Sequence, residues 1–289
     1  MTNFGPNTGY EAEDDYGGYM VHVLDGGSVV FNGEMYATDL RNMRSVFYNE
    51  AEGSIEFKGD AEFNNCRTNV FRSNLGKLRF RGDATFIDNY YLAIDNEGGT
   101  VRIAGESYFE HNGHSFNGAQ GAAASNSNGG TFIFDGDAVF IDNESDEAGG
   151  AVYNYGKMRF YGKAYFYDNR STESAGGGLA HFGGELKMMK AVQFMRNRAY
   201  ESGGGFAMRG DSTASFRKRV TARDNTVYFT GGAMSFLESP SEEGQSPSCE
   251  FRKTVDVSGS TVTGTLDDAC TVVYIEGEAD ITGYDAPCN

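Results

Sequence analysis

GKLRFRGDATFIDN, residues 76–89, is the stretch that decides the fold. After Gly76, apolar residues fall two and four places on (Leu78, Phe80) and a second glycine falls at six (Gly82). A small residue follows at eight (Ala84), Phe86 at ten and Asn89 at thirteen. Apolar positions alternating with polar ones have the period of a half-buried strand. The glycine between the two alternating runs suits a bend that joins two short strands.

The same template recurs along the chain. It begins at Gly53 upstream, then at Gly99, Gly130, Gly156 and Gly184, with Phe63, Phe86, Phe109, Phe140, Phe166 and Phe194 at place ten. Degenerate copies start at Gly27, Ser212, Pro247 and Thr271, which makes ten units in all. A further apolar signal precedes each unit, as in SVFYNEAEG, GGAVYNYG and GGGLAHFGG. Three short strands per unit, closed by glycine-rich corners, cannot bury an inward face alone, so the units must stack. The expectation is an all-β, single-stranded right-handed parallel β-helix, a solenoid of about ten coils. Stacking places the Phe at ten and the Asn at thirteen in two internal ladders. Residues 1–26 are expected to cap one end, residues 27–270 to form the coils, and residues 271–289 to form the last coil and a C-terminal cap.

Two short motifs carry a family resemblance. FIDN at 86 and 140, FEHN at 109, FYDN at 166 and FMRN at 194 share the form FxxN. GGAV at 149, GGGL at 176, GGGF at 203 and GGAM at 231 accompany them. Together, over roughly residues 53–237, they resemble the repeats of chlamydial polymorphic outer membrane proteins and similar repeats in other β-helical surface proteins. The resemblance implies a β-helical passenger concerned with adhesion or surface assembly, extracellular or at a cell surface. The sequence departs from that family's pattern in lacking an autotransporter barrel. A protein of an organelle lumen is the alternative.

Composition narrows the function classes. The formal charge of -17 repels nucleic acid and anionic membranes at long range. No run of 18 apolar residues exists, so no transmembrane helix is expected. Residues 1–9 lack the basic and apolar regions of a signal peptide. Of the cysteines, Cys66 replaces a ladder Asn and is expected buried and unpaired, whereas Cys249, Cys270 and Cys288 suit a disulfide-tied terminal cap. The sequons at Asn143 and Asn169 fall on ladder residues, so neither is expected to be glycosylated.

Chemistry is sparse. GxSxG, HExxH, P-loop and CxxC motifs are all absent from the sequence. His111 and His114 form a lone pair without the further ligands a metal needs, so no metal and no cofactor is expected. β-Helices do host polysaccharide-active enzymes of the pectate-lyase type, and Asp88, Asp142 and Asp168 recur in one column as that reading's acids. His111 and Arg196 interrupt the column, which favours solvated corner residues over a catalytic centre. The expectation is therefore no enzyme.

Outward positions are more informative. Ile133, Val139, Ile141, Tyr161, Tyr165, Tyr167, Met189 and Met195 should give the middle coils an apolar and aromatic outer surface. Such a patch suits contact with a protein partner or larger assembly, or with a glycan, unless residues 113–129 or 238–248 fold back over it.

Overall fold

The computed structural model describes residues 2–4, 17–41, 43–113, 120–237, 247–263, 273–275 and 280–282. The chain forms an all-β parallel solenoid of about eight turns, and every named strand pairing is parallel. Units are numbered 1 to 10 from Gly27 to Thr271, and each strand lies beside its counterpart one unit on. A ten-stranded sheet carries the second strand of each template, for example Ala84–Ile87 on Ser107–Glu110. An eighteen-stranded sheet holds two columns, the strand before each template glycine and the strand after it. These merge where Val152–Phe160 and Leu179–Met188 run through both columns. A five-stranded ladder of two-residue strands, such as Glu144–Ser145 on Arg170–Ser171, lines the remaining corner.

The ends continue this stacking. Thr2–Phe4 pairs with Met35–Ala37, and Gly17–Val23 pairs with Met43–Asn49. Val273–Ile275 and Asp280–Thr282 extend the large sheet. Cys270 and Cys288 lie outside the described residues. Cys66 is buried and free. Cys249 is free as well, which corrects its assignment to a terminal disulfide: it occupies place two of unit 9, pairs with Ala214 and points into the core.

Phenylalanine fills the interior. Phe63, Phe86, Phe109, Phe140, Phe166 and Phe194 are fully buried, and consecutive rings stack with centroids 4.7 to 5.1 Å apart. That spacing is the rung height of a parallel sheet, so a ring at a fixed place must meet its own copy. A second column, Phe31–Phe57–Phe80 and later Phe134–Phe160, meets the first edge-on. Each buried ring contributes roughly 2 to 3 kcal/mol by area, and offset or edge contacts about 1 more.

The glycine at place six is needed for a different reason from the one its sequence context suggests. It is close approach rather than an unusual dihedral. A Cβ on Gly105 would lie 2.5 Å from the Gly82 carbonyl, and one on Gly136 would lie 2.3 Å from that of Gly105. Left-handed backbone occurs instead at place twelve. Asp39, Asn65, Asp88, His111, Asp142, Asp168, Arg196 and Asp224 all have φ between 50 and 58°. Asn and Asp tolerate that region best, which accounts for the recurring Asp in the column.

Asn89, Asn112, Asn143, Asn169, Asn197 and Asn225 form the expected ladder and are wholly buried. Each Nδ2 donates to a phenylalanine carbonyl behind it, and from Asn89 to Asn197 each also donates to the Oδ1 of the next rung, at 2.9 Å from Asn112 to Asn143. Each Oδ1 also accepts the backbone N–H of the preceding ladder residue. A second buried ladder was not anticipated. Asn96 donates to Asn126 and Asn126 to Asn154, both at 2.7 Å, and Asn154 donates to His181 Nδ1 at 2.9 Å.

Candidate interaction surface

With the interior so closely filled, function falls to the outward positions. On the ten-stranded sheet these are places nine and eleven. Parallel register sets Tyr108, Val139, Tyr165 and Gln193 side by side in one row. Glu110, Ile141, Tyr167 and Met195 form the row beside it. All of these side chains are half-exposed. Tyr165 and Tyr167 pack ring against ring at 5.9 Å, and the Tyr167 hydroxyl donates to Gln193 Oε1 at 2.8 Å. Val139, Ile141, Tyr165, Tyr167 and Met195 therefore form one continuous patch over units 5 to 7, and Ile87 and Tyr108 extend it upstream.

The other three candidates lie around a corner. Tyr161 and Met189 sit in the bend before the ten-stranded sheet, and Tyr161 is 42% exposed. Ile133 belongs to the neighbouring column, between Arg102 and Arg159. That column is otherwise charged and internally paired: Arg102 holds Asp135, and Arg159 and Lys187 hold Glu185. The stems of such arginines cover apolar surface, so Ile133 is half-buried. Of the segments expected to fold back over the patch, residues 114–119 and 238–246 lie outside the described residues.

The acids of the enzyme reading stand exposed at the left-handed corner. Asp88 meets His111 Nδ1 at 2.6 Å, and Arg196 donates to both oxygens of Asp168 at 2.8 and 2.7 Å. His114 lies outside the described residues. No group of three potential metal ligands occurs among the described residues.

A different acid pair emerges from the fold. Asp95 and Glu97 project from one strand, two residues apart, over the eighteen-stranded sheet. Burial, and then the charge of Glu97, push the Asp95 carboxyl up to about 7. Arg72, in register with Asp95 one unit below, donates to Glu97 at 2.8 Å. The sequence signal was IDNEG, where alternation around a buried Asn puts both acids on the outer face. A second exposed aromatic cluster, Tyr200 stacked on Tyr228 with Phe229 against both, lies at the five-stranded ladder.

No protein-family model matches the chain, and no curated protein or solved structure matches it.

Proposed function

We propose that the chain is a non-enzymatic structural or interaction module, a β-helix of the chlamydial polymorphic outer membrane protein type. It works on a cell surface or outside the cell, in adhesion or as a peripheral subunit of a larger assembly. It binds a protein or glycan partner through the outer face of units 5 to 7. The observation that carries this reading is the in-register patch of Val139, Ile141, Tyr165, Tyr167 and Met195. A sheet face on which apolar and aromatic side chains run across three consecutive rungs gains from being covered. The test is capture from the native source with wild type beside a Tyr161→Ser, Tyr165→Ser, Tyr167→Ser variant. Loss of the captured partner by the folded variant supports the reading, and equal capture by both rejects it.

A second reading, a polysaccharide-active enzyme, draws its support from Asp95 rather than from the corner acids. A buried carboxyl held near neutrality beside a second carboxylate and an arginine is a general-acid arrangement. Turnover of acidic polysaccharide that disappears in Asp95→Asn would establish that reading. No turnover by wild type over pH 4 to 8 would dismiss it.

A further inference from the structure

The bends that precede the ten-stranded sheet stack along one corner of the solenoid, and their charge divides sharply along its length. In units 2 to 5 the bends carry Asp60, Asp83, Glu106, Asp135 and Asp137. Their two cations are engaged nearby, Arg81 by Glu56 and Lys58 by Asn32. In units 6 to 9 the bends carry Lys163, Lys190, Arg217, Lys218, Arg219, Arg252 and Lys253, with no acid. Seven of the chain's 24 basic residues thus fall in four short bends of a protein whose formal charge is -17. Three of them are engaged within the chain, Lys163 by Asp137 at 3.9 Å, Arg219 by Asp256 at 3.2 Å and Arg252 by Glu250 at 2.9 Å, and Lys190, Arg217, Lys218 and Lys253 remain outward. Among the bend charges, Asp135 and Asp137 are half-buried; the others, from Asp60 to Lys253, are exposed. The sign changes between units 5 and 6, where Val139 and Ile141 adjoin Tyr165 and Tyr167 in the apolar patch.

We propose that the occupant of this face is a second copy of the chain, packed antiparallel about a two-fold axis that lies parallel to the strands between units 5 and 6. The proposal rests on the interaction reading above and names its partner. Such an axis sets unit 5 against unit 6 of the second copy, 4 against 7, 3 against 8 and 2 against 9. Val139 then meets Tyr165 and Ile141 meets Tyr167, a self-complementary apolar centre of the kind an isologous interface requires. Along the bends, Glu106 meets Lys190, Asp83 meets Arg217 and Lys218, and Asp60 meets Lys253, each twice per dimer, while Asp137 and Lys163, 3.9 Å apart within each chain, bring two such pairs together at the centre. Two sheets packed face to face lie about 10 Å apart, within reach of these side chains.

The alternative two-fold, along the solenoid, opposes the bends to the left-handed corner of the same unit. It would set Asp83 on Asp88, Asp137 on Asp142 and Lys190 on Arg196, like charge on like. In units 6 and 8 it would oppose Lys163 to Asp168 and the Arg217–Arg219 run to Asp224, of which Asp168 is already held by Arg196. In the antiparallel arrangement the far edge brings Asp142 to Asp168 and Asp88 to Asp224, but Asp168 is already neutralised by its two bonds from Arg196 and Asp88 meets His111. The face spans about eight rungs by five residues, on the order of 650 Å² per copy from strand dimensions, the lower end of a specific interface. A reversible dimer in the micromolar range follows, weakened by salt because its rim is charged.

A double-mutant cycle tests the geometry. Glu106 and Lys190 are three units apart in one chain, roughly 14 Å at the rung height, yet adjacent across the two-fold. Both side chains are exposed, and neither makes a side-chain hydrogen bond or ion pair among the described residues. In sedimentation velocity of the full chain, Glu106→Lys alone and Lys190→Glu alone should each raise the dimer dissociation constant about tenfold. The two together should return it to within about threefold of wild type. A wild type that stays monomeric at tens of micromolar, or a double variant no better than the singles, overturns the proposal. A foreign partner still lost by the tyrosine variant would then leave the interaction reading standing.

Discussion

The asparagine ladder behind the ten-stranded sheet and the one beneath the eighteen-stranded sheet meet one requirement with different sequences. The first runs unbroken from Asn89 to Asn225 and ends on a hydroxyl, with Ser260 Oγ accepting the Asn225 backbone N–H at 3.2 Å. Nothing in it titrates. The second begins at Asn49, is interrupted at Ser73, resumes at Asn96 and ends on an imidazole. Asn49 Oδ1, Ser73 Oγ and Asn96 Oδ1 are buried with no hydrogen-bond partner, so the interruption leaves polar atoms unmet. A regular repeat of one amide builds a saturated column, and an irregular one leaves sites where stability depends on conditions.

The largest contrast should come from cutting each ladder in the middle. Asn143→Ala removes the amide's two donated bonds and the two it accepts from Asn112, and should cost about 4 kcal/mol in chemical denaturation. Asn154→Ala, with fewer partners, should cost about 2 to 3 kcal/mol. Equal costs would erase the distinction between the two columns.

Acid and base should separate them next. His181 is fully buried; Asn154 Nδ2 donates to Nδ1, so the ring proton sits on Nε2 and reaches the Thr213 carbonyl at 2.9 Å. Burial lowers its pKa from 6.5 to about 4. Between those values the unfolded chain binds the extra proton, so stability falls as pH falls. Asp95, beside Asn96, acts in the opposite sense. With its pKa raised from 3.8 to about 7, the folded chain holds the proton, and stability falls as pH rises. Each effect is about 3 to 4 kcal/mol, and in wild type they largely cancel across the overlapping range. Asp95→Asn should therefore gain stability from pH 4 to 6.5, and His181→Asn should lose it from pH 4 to 7. Parallel pH profiles in the two variants would contradict this assignment.

The smallest effect is a repair. Ser73→Asn supplies the missing amide between Asn49 and Asn96 and should stabilise the fold by about 1 kcal/mol, read as a higher Tm. A lower Tm would mean that the space around Ser73, where Gly99 packs closely, admits only a hydroxyl.

What was legible in the sequence follows the same divide. The first ladder and the stacked Phe column keep fixed distances from the template glycine, so alignment exposes them. The second ladder does not. Asn96 lies three residues before Gly99, Asn126 four before Gly130 and Asn154 two before Gly156, because the turns between differ in length. The glycine at place six was legible as a bend, but the crowding of stacked backbones that demands it was not. The Asp at place twelve could be read as corner residues, though only the dihedrals explain why Asp recurs there. The outer patch was visible as a list of apolar places, and register divided that list into a continuous sheet face and three residues around a corner. The charge division of the bends is written in FKGDA, FRGDA and FDGDA against FYGKA, FRKRV and FRKTV. It acquires meaning once those bends form a single edge beside the patch.

The central claim, that the outer face of units 5 to 7 is the covered surface, is tested most directly by tyrosine footprinting of the assembly recovered from the native source. Tyr200 and Tyr228, both 45% exposed at the five-stranded ladder, serve as internal controls. The account predicts that Tyr165 and Tyr167 are protected from modification in the assembly and react when the chain is dilute, while Tyr200 and Tyr228 react in both. Protection of Tyr200 and Tyr228 with Tyr165 and Tyr167 left reactive would contradict it.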